Sequence, residues 1–170
     1  RLIYLHPGGF DDDIYCTIYH ANILEKLPQT EYTALSYVWG DAKHTKPIQL
    51  GYHQIPTITK NLEKALRHLR DRASERILWV DAICINQSDE EEKLSQVQSM
   101  GDVYRNAVEV RIWLGSLKDV QEEANDEQFP NELQALGIRI IAMQPWWRRV
   151  WVIQEATLPK EDPIMQCGNI

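Results

Sequence analysis

Apolar positions along the chain fall into short runs separated by glycines, prolines and charged clusters, and the spacing within each run predicts an element. Residues 2–5 and 14–19 read as strands on either side of a turn at 7–13, a β-hairpin. Residues 32–39 are apolar at nearly every position and end at Gly40-Asp41, the pattern of a buried strand followed by a loop. A second short hairpin is expected over 48–55 around Gly51. Within 61–72, Leu62, Ala65, Leu66 and Leu69 recur at i, i+3, i+4 and i+7, one face of a helix.

Residues 77–85 read as another buried strand, with Asp81 in its middle. Ser88-Asp89-Glu90-Glu91 fits a capping box with Ser88 as N-cap. The helix it opens runs to about Asn106, with Leu94, Val97, Gly101 and Tyr104 on one face. Residues 109–114 predict a strand closed by Gly115, and the acidic, apolar-poor stretch 118–130 a surface loop. Pro145 suits the first turn of a helix over 146–158 that Pro159 stops, and 164–167 is a last strand.

From residue 32 onward strands and helices alternate, which predicts an α/β fold: a mostly parallel central sheet with helices on both faces. The expected organisation is one domain over 1–170, with an N-terminal hairpin extension at 1–30, an α/β core at 32–115 and 133–168, and a loop insert at 116–132. A start at Arg1 and a stop just after the last strand read as a piece of a longer protein. In such folds ligands bind beyond the carboxyl ends of the strands, which directs attention to the loops after Trp39, Ile85 and Leu114.

Composition narrows the function. A net charge of −7 argues against nucleic acid, whose binders concentrate Lys and Arg. No apolar stretch approaches the length of a membrane helix, and no secretory leader is visible, so no membrane partner is expected. Cys16, Cys84 and Cys167 are isolated and odd in number, which favours reduced thiols in the cytoplasm. The five histidines show no metal-ligand spacing, and no metal is expected.

Three segments carry candidate chemistry. Ser36-Tyr37-Val38-Trp39-Gly40-Asp41 places a hydroxyl, two amphipathic aromatics and a carboxylate at a strand end. It reads either as a strand with a Gly-Asp turn or as a stacking and hydrogen-bonding wall for a nucleotide. In the run from Trp79 to Gln87, Asp81 needs a partner, because an unpaired buried carboxylate is costly. Arg148, Arg149 or loop amides are the options, with Asn86 and Gln87 at the strand end. In 146–155, Trp151 and Glu155 stand at i and i+4, with Arg148 along the same helix side. Glu155 is then either salt-bridged to Arg148 or poised at a pocket.

Together these segments resemble the heterokaryon-incompatibility (HET) family. The resemblance rests on residues 34–41 (ALSYVWGD), 78–87 (LWVDAICINQ), Gln96 and Met100 leading to Tyr104 and Ala107, then Trp113-Leu114-Gly115, and a late Arg149, Trp151, Gln154-Glu155. It implies a cell-death module of fungal non-self recognition. It further implies kinship with the Toll/interleukin-1-receptor (TIR) domain, hence a flavodoxin-like three-layer sandwich. By that kinship Glu155 is the catalytic carboxylate of an NAD glycohydrolase. Ser36, Tyr37, Trp39, Gly40, Asp41, Asp81, Asn86, Gln87, Arg148, Arg149 and Trp151 then line the site, with NAD as substrate rather than cofactor.

No GxGxxG loop is present, which disfavours a hydride-transferring dehydrogenase. The alternative is a non-catalytic adaptor that associates with itself and with other death-signalling proteins, with Trp146 and Trp147 as surface anchors.

Overall fold

A computed structural model describes residues 1–22, 30–52, 54, 56–116 and 141–168. Strands β1 (Leu2–Leu5) and β2 (Tyr15–Tyr19) form the N-terminal hairpin, and β3 (Thr33–Tyr37) follows. A small antiparallel pair, β4 (Thr45–Pro47) and β6 (Thr57–Thr59), brackets β5 (Gln49–Leu50). Then come α1 (Lys60–Leu69), β7 (Arg76–Trp79), α2 (Asp81–Cys84), α3 (Glu90–Asn106) and β8 (Glu109–Trp113). A 3-10 turn (Pro145–Arg148), α4 (Val152–Thr157) and β9 (Ile164–Gln166) complete the order. The expected insert at 116–132 and the start of the second core segment, 133–140, lie outside the described residues except for Ser116.

One seven-stranded sheet carries the fold, in the order β5-β2-β1-β7-β3-β8-β9. Neighbours from β7 to β9 run parallel. The hairpin joins them through an antiparallel β1–β7 pairing, so the sheet is mixed. In β3, Ala34, Leu35, Ser36 and Tyr37 are buried in succession. Alternate residues point to opposite faces, so both faces of the sheet are covered at its centre.

Helix α1 buries Leu62, Ala65, Leu66 and Leu69, the face its periodicity predicts, and Thr59 caps its first turn. Asn61 ties this helix to the sheet. Its Nδ2 donates to the Val38 carbonyl at 2.6 Å, and its Oδ1 accepts from Trp113 Nε1 at 2.9 Å. The ends of β3 and β8 are thereby fastened to the start of α1.

Several expectations are corrected. The apolar run 77–85 is not one strand. β7 ends at Trp79, and Asp81 opens the helical turn α2, whose first bonds run to the Val80 carbonyl from Ile83 at 3.0 Å and Cys84 at 2.7 Å. Short apolar runs do not distinguish strand from buried helix, and here both occur in turn. The N-cap of α3 is Asp89, not Ser88: its Oδ1 accepts from the amides of Glu91 (3.1 Å) and Glu92 (3.0 Å). The buried residues of α3 are Met100, Val103 and Tyr104, while Leu94 faces solvent.

The helix expected over 146–158 is broken. The chain is extended at Arg149 (ψ 142°), and α4 begins only at Val152. Around Gly51 the chain does turn, with φ 65° and a Leu50–Gln54 bridge, but β5 pairs in parallel with β2.

Candidate functional site

The break at Arg149 builds the centre of the site. Its guanidinium turns back onto Glu155, one turn into α4, and grips the carboxylate with both nitrogens at 2.8 and 2.9 Å. Glu155 has no exposed surface at all. Ser36, buried on β3, donates to Glu155 Oε2 at 2.5 Å and accepts from Trp146 Nε1 at 2.6 Å. A carboxylate held by a forked guanidinium and a hydroxyl meets the demand that a buried charge be paired and hydrogen-bonded. The partner of Glu155 is therefore Arg149. Arg148 is exposed and joins none of these contacts, because the backbone turns outward between the two arginines.

Asp81 sits a layer closer to solvent, at the carboxyl end of β7. Its Oδ2 accepts from Trp39 Nε1 at 2.7 Å and its Oδ1 from the Ala82 amide at 2.7 Å. An indole and a backbone amide, rather than either arginine, are its hydrogen-bond partners. Burial raises its pKa above the ordinary carboxylate range, while those bonds and the nearby Arg149 charge oppose the rise. The Tyr37 hydroxyl is buried close to Asp81, and burial together with the Asp81 charge pushes its pKa well up. Tyr104 is raised likewise, by burial first and then by the charges of Glu155 and Asp81.

In front of these groups lies a cleft of about 430 Å³ walled by Trp39, Gly40, Asp81, Gln87, Arg149 and Trp151, with Ile85, Val97 and Met100 as apolar lining. Lys93 reaches it from α3. Trp39, which lines the cleft, is 43% exposed. Gln87 fixes the loop by donating to the Asp81 carbonyl at 3.0 Å. Asn86 is exposed and braces the same loop, accepting from the Ser88 amide at 3.2 Å. Asp41 stands apart, bonded to His44 at 3.1 Å on the rim of a second cleft.

Residues 32–155 match the family description "Heterokaryon incompatibility protein (HET)", which covers every block just placed. The chain belongs to the heterokaryon-incompatibility family. A relative in Neurospora crassa, "Heterokaryon incompatibility protein 6, OR allele", is 43% identical over 139 residues. That alignment takes in 74% of this chain and 20% of the relative, so the chain spans about a fifth of that protein's length. No solved structure matches.

The HET domain thus brings Ser36, Trp39, Asp81, Gln87, Arg149, Trp151 and Glu155 to one place, from three stretches far apart in sequence. Tyr37 lies behind Asp81, and Gly40 forms the rim. Asn86, Asp41 and Arg148 are not part of the cleft wall. Trp146 is a site residue that the periodicity misplaces. As part of a Trp-Trp pair it reads as surface, yet it is wholly buried under Ser36, and only Trp147 is exposed. Lys93 was also missed, since one lysine on an acidic helix carries no signal by spacing. Among the described residues, no helix is long and apolar enough to cross a membrane.

Proposed function

We propose that this HET domain is the effector of an incompatibility response and acts by cleaving the nicotinamide–ribose bond of NAD in the cleft of Trp39, Asp81, Arg149 and Trp151. The observation that carries the proposal is the convergence, on one cleft, of two indole rings, a carboxylate and a guanidinium, with a second carboxylate, Glu155, directly behind the guanidinium. The parallel strands also support a TIR-like, flavodoxin-like reading. Taken in chain order β3, β7, β8, β9, they lie side by side as second, first, third and fourth.

The indoles offer stacking faces for base or nicotinamide, and Arg149 suits the pyrophosphate. Nicotinamide leaves from C1′ with the bonding pair and needs no proton. Water then adds to C1′ and loses a proton to solvent. A carboxylate beside the ribose stabilises the oxocarbenium-like transition state most strongly where water is excluded.

In the state described, Arg149 neutralises Glu155. Catalysis therefore requires Arg149 to exchange that carboxylate for the ligand's pyrophosphate, which makes Glu155 a latched group rather than a standing one. Self-association of the domain is the event proposed to favour that exchange. The buried, isolated thiols Cys16 and Cys84 suit action in the cytoplasm.

The test is nicotinamide release from NAD by the purified chain at low and high protein concentration, beside Glu155→Gln and Asp81→Asn. Release that rises with concentration and disappears in Glu155→Gln is the expected result. Absence of release at every concentration, from a protein whose fold is intact, would sink the proposal.

One observation favours a second reading, the non-catalytic adaptor. Val150 and Ile153 are 83% and 71% exposed, and Met143 and Trp147 nearby are exposed as well, which presents an apolar run of the kind found at interfaces. On that reading Glu155→Gln leaves cell killing intact while Val150→Asp with Ile153→Asp abolishes it.

A further inference from the structure

Two carboxylates stand near the cleft, and only one of them faces it. Glu155 has no exposed surface, and both of its oxygens are taken up by Arg149, one of them also by Ser36. Asp81 lines the cleft directly and is the one acidic side chain among the described residues that do. A ligand entering the state described therefore meets Asp81, and reaches Glu155 only after Arg149 lets go.

Asp81 owes its place to the change of conformation after Trp79. β7 ends there, and the turn α2 that opens at Asp81 brings the Ala82 amide onto Oδ1 at 2.7 Å. From beyond the end of β3, Trp39 Nε1 reaches Oδ2 at 2.7 Å. One donor on each oxygen fixes the plane of the carboxylate. A carboxylate can accept about four hydrogen bonds, so these two and the nearby Tyr37 hydroxyl leave room for at least one more. Both donors are neutral, so their contact does not cancel the charge as Arg149 cancels that of Glu155. Trp39 also lines the cleft. The indole that offers a stacking face is thus the one that holds the acid, and ring and acid keep one spacing.

We infer that Asp81 accepts a hydrogen bond from the 2′-hydroxyl of the ribose that carries nicotinamide, with the nicotinamide ring over Trp39. This rests on the reading that NAD occupies the cleft, and holds whether or not the bond is then cleaved. The hydroxyl keeps its proton. As C1′ turns cationic the neighbouring hydroxyl becomes a stronger donor, so its bond to Asp81 tightens where the barrier lies. Asp81 then acts as a catalytic residue alongside Glu155, and the cleft tells ribonucleotides from their 2′-deoxy counterparts.

The probes are two NAD analogues with a cyclopentane in place of the nicotinamide-bearing ribose, so that neither has a glycosidic bond to break. One keeps the hydroxyl equivalent to 2′, and the other lacks it. Each is titrated by calorimetry against the purified chain, Asp81→Asn and Glu155→Gln, after circular dichroism and melting have shown that the variants fold. The parent should bind the hydroxylated analogue about tenfold tighter or more, as one hydrogen bond to a charged group implies. Asp81→Asn should reduce that preference to about threefold or less. A purely structural Asp81 would instead weaken both analogues alike and leave the preference as it was.

Equal binding of the two analogues by the parent overturns the inference without need of any variant. So does a preference that survives Asp81→Asn, one that is lost in Glu155→Gln instead, or no binding of either analogue at about 1 mM. Nicotinamide release from NAD keeps the two proposals apart. Release without the preference leaves NAD cleavage standing and removes Asp81 from the ribose, whereas the preference without release does the reverse.

Discussion

At Glu155 the physical stakes are set by what surrounds it rather than by its own ionisation. Truncation to alanine would leave the Arg149 guanidinium and the Ser36 hydroxyl facing a void, with the charge of Arg149 largely uncompensated. Losing one partner of a buried pair costs about 3–5 kcal/mol. Urea unfolding of Glu155→Ala should show a loss of that size, so an inactive alanine variant would say little about catalysis. Glu155→Gln keeps the volume and an acceptor, and is expected to lose clearly less stability.

Asp81 invites a different measurement. Its folded pKa lies above the ordinary value because burial penalises the charged form. The folded state then holds a proton that the unfolded chain releases, so this group's contribution is full below the ordinary carboxylate pKa and falls away as pH rises through the folded value. Unfolding followed from pH 4 upward should show the parent losing stability relative to Asp81→Asn. A constant difference across that range would mean that Asp81 does not titrate in this way.

The thiols give a third contrast at this scale. Burial pushes Cys16 and Cys84 up to about 12 each. Neither should react with a thiol reagent at pH 8 until the protein unfolds.

Among the elements, Asn61 does more than its helix requires, since it serves β3, β8 and α1 at once. Asn61→Leu would strand the Val38 carbonyl and the Trp113 indole. At roughly 1–3 kcal/mol for each of the two unsatisfied groups, a loss of about 2–6 kcal/mol is expected in chemical denaturation.

How far the elements could be read in advance depended on length and surroundings. α1 announced itself through four apolar residues at helical spacing, all buried. β3 announced itself through a run with no polar face, since both of its faces are covered. The stretch 77–85 conceals a change from strand to helix, because every position there except Asp81 is apolar enough for either, and the turn shows only in the local bonds from Ile83 and Cys84 to the Val80 carbonyl. The 146–158 helix was misread for a sharper reason. Its residues carry good helical spacing, but bringing Arg149 onto Glu155 and Trp146 onto Ser36 requires the backbone to leave the helix between them. Thus Glu155, Trp39 and Asp81 are legible in the sequence as candidates for the site from the chemistry they bring to apolar segments. The choice of Arg149 over Arg148 was not, since adjacent residues differ only in where the backbone aims them.

For the molecule as a whole, two opposing surface properties meet at the 143–153 region. The chain carries a net charge of −7, while Met143, Trp147, Val150 and Ile153 leave apolar surface in water. Added salt screens the repulsion between copies and leaves apolar attraction in place. Sedimentation should therefore show association strengthening as salt rises, and Val150→Asp with Ile153→Asp should remove it without lowering the melting temperature. Association that weakens with salt would point to charged contacts instead.

The seating of β1 between β2 and β7 has a consequence in time. Ile3 faces Leu78 across a ladder whose two sides are separated by about seventy residues of chain. During synthesis the first strand leaves the ribosome long before its second neighbour exists, and Leu2, Ile3 and Leu5, all buried in the finished sheet, must wait. Only the hairpin with β2 shields them meanwhile, and an isolated hairpin is barely stable in water. A nascent chain halted before Arg76 would thus carry an open, apolar strand edge, which makes the interval between the two strands the part of this protein's life in which it most needs a chaperone.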